Sequence, residues 1–213
     1  MRAGRGGTSA EGTILLLHRA ELLGALLDAA GREVVRLGAE CVGLEQDAQG
    51  VRARFAAGHE ARGDVLIGAD GLHSAVRSAL FGPAKPRYGG YAAWRAIARF
   101  DLDRLTPGET WGPGRRFGQW GMSDGRAYWY ATQTVAEGQG DPPQGRKRGL
   151  LDRYRGWHTP IGELVEATDE SAILRNDIYD RPPLSRWGLG RATLLGDAAH
   201  PMTPDLGQGA CQA

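Results

Sequence analysis

The sequence has little cysteine, almost no net charge and no long apolar run. Its 213 residues include only two cysteines, Cys41 and Cys211, which are too few to build a metal site by themselves. So few cysteines favour a reducing compartment, and we expect the cytoplasm by default. The formal net charge of +1 gives no electrostatic reason to expect a nucleic-acid partner. No stretch of about 18 consecutive apolar residues occurs, so we expect no membrane-spanning helix.

Two site signatures are also missing. The five histidines show no metal-ligand spacing, and we predict no metal site. No Gly-x-Gly-x-x-Gly turn joins a strand to a helix, although that turn is the usual mark of a dinucleotide-binding unit. The Arg- and Gly-rich residues 1–12 lack the apolar centre of a secretory signal and are predicted to be disordered.

Hydrophobic residues make up 41% of the chain, which is enough for a core. Leucines at helical spacing predict a helix over residues 19–30, closed by Gly31. A short apolar run lies before it at residues 13–17. Strands are predicted at residues 33–37, 41–45 and 51–55, and residues 65–69 read as a strand that is covered on both faces.

Most of the aromatic residues lie between residues 88 and 135, in strand-like runs separated by Gly and Asp turns. This pattern predicts an antiparallel sheet. Residues 187–213 then repeat the pattern of residues 65–77, in which an apolar strand is followed by an acid, a glycine turn and a helix. We therefore expect a mixed α/β (α+β) fold. Residues 1–82 and 181–213 would form an incomplete three-layer domain, with a sheet domain of residues 83–180 inserted between its halves.

The most informative motif lies late in the chain. An apolar strand at residues 192–195 leads into Gly196-Asp197, and a loop with Pro201 and Pro204 then reaches Gly207-Gln208-Gly209. A carboxylate at the end of a strand can accept hydrogen bonds from sugar-type hydroxyls, and the free N–H groups at a helix start can hold negative charge. We predict such a helix start near Leu206, and a site for a polyhydroxylated, partly anionic cofactor.

A second motif spans residues 68–77. Asp70 ends an apolar strand, Gly71 permits a tight turn, Ser74 can cap the next helix, and Arg77 lies on its first turns. Asp70 could fix nearby backbone N–H groups or Arg19. An isolated Asp-Gly is usually only a turn, but Ser74 and Arg77 at these spacings favour a pocket.

The third element is Arg19, at the start of the first predicted helix. A cation is disfavoured there by the helix dipole, which suggests that the side chain reaches an anionic ligand. A surface arginine with an ordinary salt bridge to Glu21, or to a residue beyond it, is the equally good alternative.

Together the three elements resemble the flavin-dependent aromatic monooxygenases of the p-hydroxybenzoate hydroxylase fold. In that family an Arg-x-x-Leu helix start, a middle Asp-Gly motif and a late Gly-Asp motif recur in this order. The branch of urate hydroxylase, zeaxanthin epoxidase and salicylate hydroxylase looks nearest, on residues 91–95 (YAAWR) and 180–184 (DRPPL). The resemblance covers residue 13 to the end.

The resemblance implies an FAD-binding domain and a reaction that uses FAD, NADH or NADPH, and oxygen. A flavin C4a-hydroperoxide would hydroxylate or epoxidise an aromatic or conjugated small molecule. The implied cofactor-binding residues are Arg19, Cys41, Asp70, Gly196, Asp197, Pro204, Gly207, Gln208 and Gly209. Among them, Arg19 would contact the ribityl–pyrophosphate region, Cys41 the adenine region through its backbone, and Asp197 the ribityl hydroxyls. Backbone N–H groups of residues 207–209 would lie near flavin N1, where reduced flavin is anionic.

Arg116 and Tyr128 match positions that touch the substrate in similar proteins. Arg116 could pair with a carboxylate or enolate-like oxygen, although ordinary sheet residues are at least as good an interpretation of both. His200 is more readily a hydrogen-bonded structural histidine than an acid or base. No protein side chain is predicted to be catalytic, because the cofactor carries the chemistry.

The missing Gly-x-Gly-x-x-Gly unit departs from the family, so we expect the chain to be truncated at both ends. One alternative is a non-catalytic remnant that cannot hold FAD tightly. Another keeps the flavin but changes the chemistry to that of a halogenase or a lipid reductase. The substrate, the choice between NADH and NADPH and the oligomeric state stay open.

Overall fold

The computed structural model describes residues 16–212. The prediction of disorder for residues 1–12, most of the apolar run at residues 13–17, and Ala213 lie outside this range. The helices are α1 (Arg19–Ala30), α2 (Ala75–Phe81), α3 (Arg146–Arg153) and α4 (Ile161–Ala167). The strands are β1 (Cys41–Gln46), β2 (Val51–Phe55), β3 (Glu60–Gly63), β4 (Leu66–Gly68), β5 (Arg87–Arg99), β6 (Gly108–Gly112), β7 (Arg115–Gly121), β8 (Arg126–Thr134), β9 (Leu174–Asp180), β10 (Gly188–Leu189) and β11 (Ala192–Leu194).

The chain divides into two compact units, each built from two stretches of sequence. The first unit contains the described part of the first 34 residues together with Gly90–Asp177, and the second contains Val35–Gly89 with the described residues from Ile178 onward. The predicted mixed α/β fold with an antiparallel sheet is confirmed.

A five-stranded sheet forms the centre of the first unit, in the order β6-β7-β8-β5-β9. Alternate residues of β5, β7 and β8 bury one face, so that Trp94, Phe117 and Trp129 are almost fully enclosed. Leu150 of α3 and Leu164 of α4 complete this core. The strongly aromatic segment therefore folds as the sequence predicts, because its strands place large rings on one face at every second position.

Two small sheets make up the second unit. Strands β1, β2 and β3 form an antiparallel meander, while β10-β11-β4 is a mixed sheet in which β11 and β4 run parallel. Val76 of α2 packs against Leu194 and the two alanines at positions 198 and 199. The parallel pair matters most for function, because it brings two distant loops to the same edge of a sheet.

Three local predictions are wrong. Residues 33–37 form no strand: a 3-10 turn covers Arg32–Val34, and Leu37 is 92% exposed. Residues 65–69 are not covered on both faces, since Val65 is 63% and Ile67 is 61% exposed. No α-helix begins near Leu206 in the described chain; two 3-10 turns, Pro204–Leu206 and Ala210–Gln212, lie on either side of Gly207.

Gly207 explains the last difference. Its φ of 63° and ψ of 16° are left-handed, and this conformation ends a right-handed turn. A glycine adopts it without the steric cost that a side chain would add. The loop therefore begins a new turn after Gly207 instead of continuing the first one.

Candidate functional site

The carboxyl ends of β4 and β11 lie side by side. Leu194 is in register with Gly68, and the amide of Leu195 donates to the Gly68 carbonyl at 2.9 Å. Asp70 follows the first strand and Gly196-Asp197 follows the second. The structure thus brings together two of the motifs that the sequence marks as functional, at the edge where open parallel sheets place their ligands.

Asp70 is engaged with the start of α2. One carboxylate oxygen accepts from the amides of Ala75 at 2.8 Å and Val76 at 3.1 Å, and the other accepts from the Ser74 hydroxyl. Ser74 Oγ in turn accepts from the Arg77 amide at 2.8 Å. The predicted cap at Ser74 and the predicted hold of Asp70 on backbone N–H groups are confirmed. Three of the orphan donors at this helix start are therefore satisfied by two side chains.

Asp197 lies in a 3-10 turn, Gly196–Ala198, directly after β11. Gly196 is buried and has a φ of 55°, and its carbonyl accepts from the amides of Ala199 at 2.9 Å and His200 at 3.0 Å. Asp197 itself is exposed, and within residues 16–212 its carboxylate accepts no hydrogen bond. The rigid turn thus presents an acid whose acceptor capacity is unused.

The loop at residues 204–209 presents unused donors. The Gly207 amide donates to Pro204, and the amides of Cys211 and Gln212 donate to the Gln208 carbonyl. In the described chain the amides of Gln208 and Gly209 have no acceptor. The free N–H groups that the sequence predicts are therefore present, although a 3-10 turn and not an α-helix supplies them.

His200 has a structural environment. Its ring lies against Trp187, with the ring centroids 4.9 Å apart, and its amide is held by Gly196. Cys41 is the first residue of β1, and its thiol donates to the Gly43 carbonyl at 3.5 Å. Its side chain packs against the apolar cluster that contains Val76 and Leu194. Both residues belong to the second unit.

Arg19 lies in the first turn of α1, within the first unit, and is exposed. The alternative of an ion pair with Glu21 does not hold, because Glu21 pairs with Arg126 at 2.8 Å. Asp124 and Glu21 both hold hydrogen bonds to Arg126 and raise the pKa of that guanidinium. Within residues 16–212 the side chain of Arg19 makes no hydrogen bond or ion pair.

Arg116 and Tyr128 lie on β7 and β8, on the sheet face opposite the aromatic core. Arg116 is in register with Thr132, whereas Tyr128 is in register with Trp120. The two are four residue pairs apart along the ladder, or about 13 Å. The structure therefore places them on one surface without direct contact.

Aromatic rings surround both residues. The Arg116 guanidinium lies 5.0 Å from the Trp111 ring centre and 5.7 Å from that of Tyr91. Further along, Trp120 stacks on Tyr130 with centroids 5.7 Å apart, and Tyr128 flanks both rings. Burial raises the pKa of the Tyr128 hydroxyl, while nearby Arg95 acts to lower it. Like an ordinary tyrosine, Tyr128 is neutral at neutral pH, so its hydroxyl can donate a hydrogen bond.

Sequence reasoning missed the roles of several neighbours. The rings of Trp111, Trp120 and Tyr130 share the face of Arg116 and Tyr128. The alternation of residues 116, 118 and 120 with 128 and 130 is a signal that could have placed them together. The buried arginines Arg77 and Arg181 were not assigned contacts either, and nothing in their local sequence marks them as buried.

Within residues 16–212 the structure gives no support to a metal centre or a membrane-spanning helix. No group of three or more His, Cys, Asp or Glu side chains is arranged to hold a metal ion. None of the described helices combines the length and the apolar character needed to cross a membrane. A cavity of about 380 Å³ lies beside the β1–β2 turn, between Gln46, Arg52 and Asp64, and none of the predicted site residues lines it.

Comparison with protein families gives one match over nearly the whole chain. Residues 10–213 match the family described as FAD binding domain. Aurachin C monooxygenase/isomerase of Stigmatella aurantiaca is 47% identical over 202 residues, which are 94% of this chain and 52% of that protein. Chloroplastic zeaxanthin epoxidase of Solanum lycopersicum is 41% identical over 201 residues, 93% of this chain and 30% of the epoxidase.

A solved structure shows the same fold. HpxO of Klebsiella pneumoniae, complexed with FAD and uric acid, superposes with a TM-score of 0.85 at 38% identity. The match covers 91% of this chain and 51% of HpxO. The chain therefore spans about half the length of HpxO and of the aurachin enzyme, and under a third of the epoxidase.

Proposed function

Because this chain belongs to the FAD binding domain family, we propose that it is part of a flavin-dependent monooxygenase acting on an aromatic or conjugated small molecule. NADH or NADPH and oxygen would be its co-substrates. Bound FAD supplies the redox chemistry, and the residues of this chain bind, orient and shield. The relatives named above include a monooxygenase and an epoxidase, so hydroxylation and epoxidation are both within the proposal.

One observation carries the proposal: the exposed carboxylate of Asp197 and the amides of Gln208 and Gly209 have no partners among the described residues. Asp197 would accept hydrogen bonds from the ribityl hydroxyls. The two amides would donate to the N1 and C2 carbonyl edge of the flavin, where negative charge develops on reduction. The donors and acceptors present in the second unit therefore fit an FAD molecule.

The remaining predicted cofactor residues take supporting roles in the proposal. Asp70 shapes the neighbouring loop by capping α2, and Cys41 offers the backbone of β1 to the adenine region. Gly196, Pro204 and Gly207 set the backbone of the two loops. Arg19, an exposed cation without a partner in residues 16–212, would meet the ribityl–pyrophosphate region.

The proposed substrate surface is the face of the five-stranded sheet that carries Arg116 and Tyr128. The stacked rings of Trp120 and Tyr130 offer flat apolar area to a conjugated substrate. Arg116 would attract an anionic oxygen through its guanidinium, which lies over the Trp111 ring. The neutral Tyr128 hydroxyl would donate to a carbonyl or phenol oxygen of the substrate.

Titration of FAD into the purified chain tests the proposal. We expect flavin fluorescence to be quenched on binding, and Asp197→Ala to weaken the Kd about tenfold, the effect of losing about 1.4 kcal/mol of hydrogen bonding. Asp64→Asn is the control, since Asp64 is also exposed in the second unit and only its backbone carbonyl is used. Equal affinities for the two variants would contradict the role of Asp197.

A catalytic test uses FAD-loaded protein and follows NADH and NADPH oxidation. Stimulation by aromatic compounds with an anionic oxygen, lost in Arg116→Met, would support the monooxygenase. Absence of flavin binding at micromolar concentrations would favour the alternative that this chain does not hold FAD tightly and is not catalytic, since its sequence contains no Gly-x-Gly-x-x-Gly turn between a strand and a helix. We further propose a reducing compartment such as the cytoplasm, because Cys41 and Cys211 are both free thiols.

A further inference from the structure

Arg77 is buried, yet its side chain meets no acid within residues 16–212. It is 7% exposed, and its Nη1 donates to the carbonyls of Ala198 and Ala199, each at 2.9 Å. Nη2 is 3.4 Å from the Pro182 carbonyl. A charged group is costly to bury, so a guanidinium that serves only backbone carbonyls needs a reason.

The reason lies in the turn after β11, which has two buried carbonyls in need of hydrogen-bond donors. Ala198 and Ala199 are almost fully buried, and their carbonyls accept no backbone hydrogen bond in the described chain. A continued 3-10 turn would pair the Ala198 carbonyl with the amide three residues on. That residue is Pro201, which has no N–H. The guanidinium therefore replaces the backbone donor that Pro201 cannot provide to Ala198, and it also satisfies the Ala199 carbonyl.

Asp197 sits in the same turn, between Gly196 and the two held carbonyls. We propose that Arg77 is a positioning residue, which grips the Ala198 and Ala199 carbonyls and so fixes the Gly196–Ala199 turn in the conformation that presents Asp197 to a ligand. The identity of that ligand, FAD, rests on the proposed function. The hydrogen bonds from Arg77 to the two carbonyls do not depend on it.

The neighbouring Arg181 offers a matched control. It is 8% exposed and also donates only to backbone carbonyls, those of Leu72 at 2.8 Å and Ala84 at 2.6 Å. Burial, and to a smaller extent the charge of Arg181, lower the pKa of Arg77, although an arginine stays cationic at neutral pH. The two residues thus match in type and burial and differ in the turn that they hold.

Amide hydrogen exchange on the full chain tests the grip without any ligand. In Arg77→Gln we expect the amides of Ala199 and His200, which close the turn onto the Gly196 carbonyl, to exchange at least about tenfold faster than in the unsubstituted chain. In Arg181→Gln the Ser74 amide, which donates to the Gly71 carbonyl at 3.0 Å, should accelerate instead. Equal acceleration of both turns in both variants would show a merely structural role and overturn the proposal.

FAD titration then tests the consequence for binding. Arg77→Gln should weaken the Kd at least about tenfold more than Arg181→Gln does, and Arg77→Lys should recover part of the loss because it keeps a charged donor. Equal weakening in the two Gln variants, with no rescue by Lys, would contradict a positioning role. If the unsubstituted chain binds no FAD, the proposed FAD site of this chain fails, and the exchange experiment alone still decides whether Arg77 holds the turn.

Discussion

At the scale of single residues, side-chain to backbone hydrogen bonds decide the form of the second unit. Asp70 and Ser74 supply acceptors where α2 begins, and Arg77 supplies donors where the turn after β11 lacks them. The cap could be predicted, because Ser at an N-cap position has a local signature. The grip of Arg77 could not, because its acceptors lie 121 and 122 residues away in the sequence.

Removing the cap should destabilise the second unit. In Ser74→Ala the Arg77 amide loses its acceptor and Asp70 loses a donor, so we expect the free energy of unfolding to fall by about 1 kcal/mol. Urea denaturation followed by circular dichroism measures the change. Ser78→Ala is the control in the same helix, since its hydroxyl donates only to the Ser74 carbonyl. A loss as large in the control would show that the cap is not responsible.

Tyr154 predicts a pH effect in the first unit. It is 3% exposed, its hydroxyl donates to the Thr132 carbonyl at 2.7 Å, and burial raises its pKa well above the ordinary value. The stabilisation is complete below a pH of about 10, where the unfolded tyrosine ionises, and is lost as the pH rises further. Tyr154→Phe should cost about 1 kcal/mol at neutral pH through the lost hydrogen bond.

The pH dependence of the unfolding free energy distinguishes the effect of the Tyr154 hydroxyl from a simple loss of packing. Above a pH of about 10 the difference in unfolding free energy between the unsubstituted chain and Tyr154→Phe should shrink, because only the tyrosine form is weakened by ionisation. Denaturant unfolding at neutral and alkaline pH provides the comparison. A difference that stays constant or grows with pH would be incompatible with a buried, neutral Tyr154.

At the scale of secondary structure, elements with strong local patterns follow their sequence. Helix α1 has the predicted bounds, and β2 covers residues 51–55 as its alternation predicts. The predictions for residues 33–37 and 65–69 fail because an apolar run does not by itself say whether a segment finds a partner strand or a layer that covers it. Residues 33–37 pair with no strand among the described residues, and Ile67 of β4 is 61% exposed because its face of the sheet is not covered by them.

Close approach at Gly118 makes the aromatic face of the sheet possible. A Cβ at this position would lie 2.6 Å from the Trp120 ring and would also overlap the ring of Tyr130. Gly118→Ala should therefore force the stacked rings apart and cost about 1–3 kcal/mol. Near-ultraviolet circular dichroism should record the separation of the rings, and urea denaturation should record the lost stability.

Gly121→Ala is the matched control for this substitution. Gly121 lies in the same strand, and a Cβ there would meet Leu102 at 3.4 Å, an ordinary contact. We expect little change in the aromatic signal of this variant. Similar spectra and similar stability for both alanine variants would contradict the view that Gly118 is needed for stacking.

At the scale of the whole molecule, each unit is assembled from two separate stretches of chain. The sequence predicts a domain that is interrupted by an inserted sheet domain, since residues 187–213 repeat the pattern of residues 65–77. The proposed domain bounds of 1–82, 83–180 and 181–213 follow from that pattern. Pairings such as β4 with β11 have no local signature, so they follow only from the resemblance to a known fold.

The two units should differ in the order in which they fold. Strands β7 and β8 of the first unit are neighbours in sequence, whereas β4 and β11 pair across the whole inserted segment. Because closing a long loop is entropically costly, we expect amides of β7 and β8 to be protected first in a pulse-labelled refolding experiment. Earlier protection of β4 and β11 would contradict this order.

The parallel pairing of β4 and β11 also has a consequence during synthesis. Asp70 leaves the ribosome long before Asp197, so the two sides of the proposed flavin edge cannot meet until residues near 190 have been made. The Arg191 guanidinium, which reaches the Asp47, Ala48 and Asp64 carbonyls, joins the same late stage. A nascent chain would thus carry an open, exposed β4 edge until β11 has been made, and the cofactor could meet both sides of this edge only after Asp197 has emerged.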